Sequence, residues 1–190
     1  GSGRPEYKTP QPEYKYRTEA DFKNYIQFVH AQLRELLTQY GPVNGIWLDP
    51  IMGYYAQPDL FPIADTYALI RKLQPQCLIC FKQGANGDED YVAPERTLAG
   101  HKMGGEVARR VWELNKTKPP EICDTLQERI WGYKKADDRK HRNAEWVLET
   151  LDYCSKINGN LLLNTGPLPD GSIHADDEAT LREVGKRRKV

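Results

Sequence analysis

Apolar residues recur at helical spacing over Phe22, Tyr25, Ile26, Val29, Leu33, Leu36, Leu37 and Tyr40, which predicts a long amphipathic helix with that stripe turned inward. Thr18 stands where an N-cap belongs, with Asp21 as a shorter stand-in for the capping-box glutamate. Gly41-Pro42 ends the helix. The period then changes. Ile46-Trp47-Leu48 is a short unalternating apolar run that ends in Asp49 and is stopped by Pro50. The same helix-then-strand pattern returns twice. A helix over Pro62–Leu73, carrying Ile63, Tyr67, Ile70 and Leu73 on one face, precedes a strand at 77–81. A helix over Asn143–Ile157, with Val147, Leu148, Leu151 and Cys154 inward and Asn158-Gly159 as its cap, precedes a buried-type strand at Asn160–Asn164. Val107, Val111 and Leu114 predict a further helix, and a last one runs from about Asp176 to Arg188. A fourth strand is expected near Ile122–Thr125 or Ile130–Tyr133.

Short apolar strands alternating with amphipathic helices define an α/β chain with parallel strands covered by helices. A closed eight-stranded barrel needs roughly 200–250 residues. The 190 residues here, with the strands counted above, fit a partial barrel of TIM type, about half of one. Residues 1–17 are rich in Pro, Tyr and charge and read as an irregular lead-in. Gly1-Ser2-Gly3 reads as an expression-tag remnant, so the natural start is expected to lie elsewhere. Residues 18–190 form the β/α portion.

Charge narrows the function. Lys plus Arg number 27 and Asp plus Glu number 27, a net charge of zero, and no basic stripe exists of the kind nucleic acid requires. The run Lys186-Arg187-Arg188-Lys189 reads as a solvated helix end with its cations at the negative pole of the dipole. No apolar run approaches ~20 residues, so no membrane-spanning helix is expected. No secretory leader is visible, and localisation stays open. Cys77 and Cys80 have zinc-like spacing. On a strand, however, residues three apart face opposite ways, so no metal is expected there and buried thiols are the reading for Cys77, Cys80, Cys123 and Cys154.

The candidate chemistry sits at strand ends and in one long loop. Asp49 at the end of a parallel strand is where a catalytic carboxylate belongs, and also where a structural Asp caps the next helix. The loop at 83–105 carries Asp88, Glu89, Asp90 and Glu95, which read as a second catalytic carboxylate or as a solvated or cation-holding loop. Trp131-Gly132-Tyr133 suits stacking on a sugar, or a place in the core. Asn164 ends another strand.

Several segments resemble, in order, the signature of glycoside hydrolase family 29 α-L-fucosidases: Gln32–Pro42, Ile46–Asp49, Gly87–Arg96, Trp131–Tyr133, Asn160–Pro167 and Asp170–Ile173. The resemblance covers residues 20–188 and implies the C-terminal half of the catalytic barrel of a retaining glycosidase. Such an enzyme releases terminal α-L-fucose by double displacement, with no cofactor and no metal. It implies Asp49 as nucleophile and Glu95 as acid/base, with Asp88 and Asp90 in reserve. Trp47 and Trp131 then line the sugar site. Asp88 is a further contact, and Lys82 stands where some members place an Arg, either as a substrate contact or as a surface lysine. The implied partners are a fucosylated glycan or small fucoside, and either a second copy or a second chain supplying the N-terminal half-barrel, because half a barrel leaves open edges. The family's early-strand histidines have no counterpart here. His30, His141 and His174 read as surface residues, and His101 as a residue that could approach a ligand. The family's β-sandwich is expected after residue 190. The alternative is an incomplete barrel fragment that binds carbohydrate or serves in assembly, and another glycosidase class on the same fold is the third reading.

Overall fold

The computed structural model describes residues 18–49, 54–55, 57–96, 106–138 and 140–188. The lead-in at 1–17 and His101 lie outside them. Among the described residues, five α-helices and four strands follow one another in chain order. The described chain divides into two compact units, the first comprising residues up to Ala93 with Ala99–Lys118, the second Pro94–Leu98 with Pro119–Val190.

In the first unit, α1 (Glu19–Gln39) opens on the expected capping box. The Thr18 hydroxyl accepts from the Asp21 amide at 3.2 Å and the Asp21 carboxylate accepts from the Thr18 amide at 3.1 Å. This satisfies two of the helix's four unpaired donors. β1 (Gly45–Leu48) and β2 (Leu78–Phe81) pair in parallel, Gly45 opposite Leu78 and Leu48 opposite Phe81. Between them lies α2 (Ile63–Leu73). Phe22, Leu33, Leu37, Tyr67, Ile70, Ile79 and Phe81 form the core, with Val111 from α3 (Glu106–Asn115). One buried amide fastens the α1–β1 corner. Gln74 donates to the carbonyls of Leu37 at 2.8 Å and Gly41 at 2.9 Å, and accepts from the Val43 amide at 2.7 Å. The predicted inward stripe of α1 is too wide: Leu36 and Tyr40 are 46% and 65% exposed. Leu114 of α3 is likewise exposed.

In the second unit, β3 (Glu121–Thr125) and β4 (Asn160–Asn164) pair in parallel from Glu121–Asn160 to Thr125–Asn164. The fourth strand is therefore the one near Ile122, and Trp131–Tyr133 forms a bend instead. Two helices pack on each other, α4 (Ala144–Lys156), N-capped by Asn143, and α5 (Ala175–Arg187). α4 buries Val147 and Cys154, with Leu148 and Leu151 half-buried. It ends on Asn158 at a φ of 53°, the left-handed cap conformation that Asn tolerates. β4 is not buried as its triple leucine predicts. Leu162 is 44% exposed, because among the described residues β4 pairs only with β3.

The same holds for the outer edge of β1, which pairs only with β2. The inner strands each gain a further parallel bridge, Cys80 to Tyr91 in the first unit and Glu95 to Cys123 in the second. All four cysteines are buried and no disulfide joins them. Burial pushes the thiols of Cys77 and Cys154 up from their ordinary value.

Candidate functional site

Asp49 follows directly on β1, and its side chain is 58% exposed. Among the described residues no arginine pairs with its carboxylate. Its partner is Lys82, whose ammonium lies 3.3 Å from Asp49 Oδ1 while only 6% of its side chain is exposed. The surface-lysine reading of Lys82 is therefore corrected: the residue after β2 is buried. Its backbone adopts a φ of 42°, a left-handed conformation that costs a non-glycine residue of order 1 kcal/mol and gathers at functional sites. The same ammonium stands 5.0 Å from the centre of the Trp47 ring, so a cation–π contact joins the third member of the group. Parallel pairing explains the meeting. Trp47–Leu48 and Cys80–Phe81 run side by side, so the residues next along the chain, Asp49 and Lys82, emerge at the same end. A buried ammonium requires anionic company, and an exposed carboxylate oriented by one fixed cation is suited to attack an electrophilic carbon.

The acidic loop after β2 divides by role. Glu89 is structural. Its carboxylate accepts from the amides of Ala85 at 2.7 Å and Gly87 at 3.0 Å and from the Tyr67 hydroxyl at 2.7 Å, with Lys118 3.7 Å away. Burial first, then the Glu89 charge, holds the Tyr67 phenol far above its ordinary value. Asp90 pairs with Arg71 at 2.6 Å and accepts from the Ile79 amide at 2.6 Å, fixing the loop to β2. Asp88 is exposed and closes a turn with Asn86, accepting from its side-chain amide at 2.9 Å.

In the second unit, Glu95 is half-buried and lies along β3. The Cys123 amide donates to the Pro94 carbonyl at 3.0 Å and the Arg96 amide to the Cys123 carbonyl at 3.0 Å. Arg96 has a φ of 60° and places its guanidinium 5.3 Å from the centre of the Trp131 ring. Arg96 and Arg142 both flank the buried Asp124, at 3.8 and 3.4 Å. Trp131 is 39% exposed and so is not a core residue. Its turn is held from behind. Asn164 donates to the Trp131 carbonyl at 2.8 Å, and Gly166 lies so close that a Cβ there would stand 2.6 Å from the Gly132 carbonyl carbon.

Asp49, Trp47 and Lys82 are thus brought together in the first unit. Asp88 lies on a separate turn of that unit, and Glu95 and Trp131 belong to the second. Sequence reasoning passed over Arg96, Asp124 and Arg142, since a buried carboxylate between two arginines from distant positions leaves no local pattern. Of the three histidines read as surface residues, His141 has a buried side chain, while His30 and His174 are partly exposed. His30 is half-buried against the Thr66 hydroxyl at 2.8 Å. The His141 side chain is 4% exposed and bonds the buried Asp177 at 2.6 Å. His174 caps α5, accepting from the Asp176 amide at 3.2 Å.

The first unit is an α/β arrangement of short parallel strands in which a buried lysine at the strand ends meets both an exposed carboxylate and an aromatic ring. The sequence profile of the Alpha-L-fucosidase family matches residues 3–189, and this chain belongs to that family. It is 27% identical over 182 residues to Alpha-L-fucosidase 1 of Arabidopsis thaliana, covering 86% of this chain and 34% of that protein. The tissue alpha-L-fucosidase of Bos taurus is also 27% identical, over 178 residues, with 84% and 33% covered. The solved alpha-L-fucosidase isoenzyme 1 of Paenibacillus thiaminolyticus is 31% identical with a TM-score of 0.68, over 94% of this chain and 42% of that one. The chain thus spans about a third of the length of the curated relatives it matches.

Proposed function

We propose that this chain supplies the catalytic carboxylates of a retaining α-L-fucosidase, as the C-terminal half of a β/α barrel that is complete only in an assembly. The observation that carries the reading is Asp49, exposed at the end of a parallel strand and 3.3 Å from a buried lysine. In this mechanism Asp49 attacks the anomeric carbon of fucose while Glu95 donates a proton to the departing oxygen. A fucosyl ester on Asp49 results. Glu95 then takes a proton from water, which releases fucose with its configuration retained. Lys82 orients the Asp49 carboxylate, and Trp47 and Trp131 offer ring faces to the sugar. Asp88 serves as a further contact.

The test is turnover of 4-nitrophenyl α-L-fucoside by the chain, alone and with a polypeptide supplying the missing barrel half. Asp49→Ala is expected to lower kcat by at least ~10³-fold, as loss of a covalent nucleophile does. Activity that survives this change removes Asp49 from the role. A second reading is favoured by the outer edge of β1, where Tyr25, Leu33, Leu36, Ile46 and Trp47 line a groove of about 450 Å³. A fragment built to be completed by another chain would show this surface even without turnover. Fucose binding or assembly in the absence of hydrolysis is its signature.

A further inference from the structure

We infer that Asp138, His141 and His174, in the second unit, form a site for one divalent transition-metal ion of the zinc class. Each offers a donor atom, and the three donors lie within 4.8 Å of one another. His141 is the fixed member. Its Nδ1 is 2.6 Å from Asp177 Oδ1, and the other oxygen of that carboxylate accepts from the Thr165 hydroxyl at 2.7 Å. Asp177 is 1% exposed. A carboxylate can only accept here, so the proton of neutral His141 sits on Nδ1 and the lone pair on Nε2. That Nε2 is buried and has no hydrogen-bond partner. An imidazole held by a carboxylate through one nitrogen, with the other nitrogen bare, is the arrangement found behind metal-binding histidines.

The other two donors already have partners: Asp138 Oδ1 accepts from the Tyr133 hydroxyl at 2.6 Å and His174 Nδ1 from the Asp176 amide. His174 Nε2 lies 3.3 Å from Asp138 Oδ1, a separation suited to two ligands on one tetrahedral ion. The His174 and His141 rings stack with centroids 4.2 Å apart and planes 15° apart, so their in-plane lone pairs run side by side. Binding therefore tilts His174 out of the stack and moves its proton to Nδ1, releasing the 3.2 Å cap on Asp176. Two nitrogens and one oxygen, with water as a fourth ligand, suit Zn²⁺ or Co²⁺ and not Ca²⁺ or Mg²⁺. The ion would fasten the start of α5 to the turn at Lys135–Asp137.

The test titrates the full chain, stripped with chelator, with Zn²⁺ and Co²⁺. One ion per chain is expected, with visible Co²⁺ bands of tetrahedral intensity and no thiolate charge-transfer band in the near ultraviolet. His174→Asn keeps a good helix cap while removing a ligand, and Asp138→Asn removes another. Each is expected to weaken binding by at least about tenfold, as is Asp177→Asn behind His141. Circular dichroism is expected to match the parent in all three. Absence of saturable binding, affinity unchanged in His174→Asn and Asp138→Asn, or a thiolate band that puts the ion on cysteine would each overturn the assignment.

Discussion

The buried Glu89 and the half-buried His30 show how single side chains set the behaviour of the first unit. Glu89 is an anion with no exposed side-chain surface that satisfies backbone amides, a phenol and Lys118 together. Glu89→Ala is expected to destabilise the chain by about 3 kcal/mol, because each of those donors is left unsatisfied inside; urea unfolding measures it. His30 acts through protonation. Burial first, and then Arg34, lower its pKa from 6.5, so the folded chain holds this proton less tightly than the unfolded one. Its contribution is present above the ordinary histidine value and is lost as pH falls through that value toward the lowered one. The urea midpoint of the parent is therefore expected to drop more than that of His30→Gln between about pH 7.5 and about pH 5.5. Asp49 was readable as a candidate because a carboxylate closing an apolar strand is a local pattern. Glu89 and Asp90 were not separable from Asp88 in the sequence, because which member of an acidic run turns inward depends on what packs above it.

Among the elements, the turn carrying Trp131 is the most exacting. Gly166 meets the backbone of Gly132 with no room for a methyl group, and backbone cannot swing aside as a flexible side chain would. Gly166→Ala is expected to cost about 1–3 kcal/mol and to shift Trp131 fluorescence, read by unfolding midpoint and emission spectrum. Helix positions followed well from periodicity and caps, since Thr18, Asn143 and Asn158 act within a few residues of themselves. Strand burial did not follow. Leu161-Leu162-Leu163 has the composition of a strand covered on both faces, yet Leu162 is 44% exposed, because coverage comes from neighbours and not from the strand.

For the whole molecule, the outer edges of β1 and β4 are the central fact. Each has one strand partner among the described residues, and an uncovered edge beside apolar groups is a template for pairing. The purified chain is expected to run as an oligomer by size exclusion with light scattering, and on the proposed reading to shift to a defined complex when a polypeptide carrying the proposed N-terminal half-barrel is added. A compact monomer would count against assembly. Local chemistry in the sequence was enough to settle the helices, the parallel α/β alternation, the family and the candidacy of Asp49, for each depends on spacing within a short window or on the order of such windows. The burial of Lys82 against Asp49, the pairing of His141 with Asp177 and the two arginines on Asp124 were decided only in three dimensions. Those partners lie 33, 36 and up to 28 residues apart, and only the packing of strands and helices selects which distant charges meet.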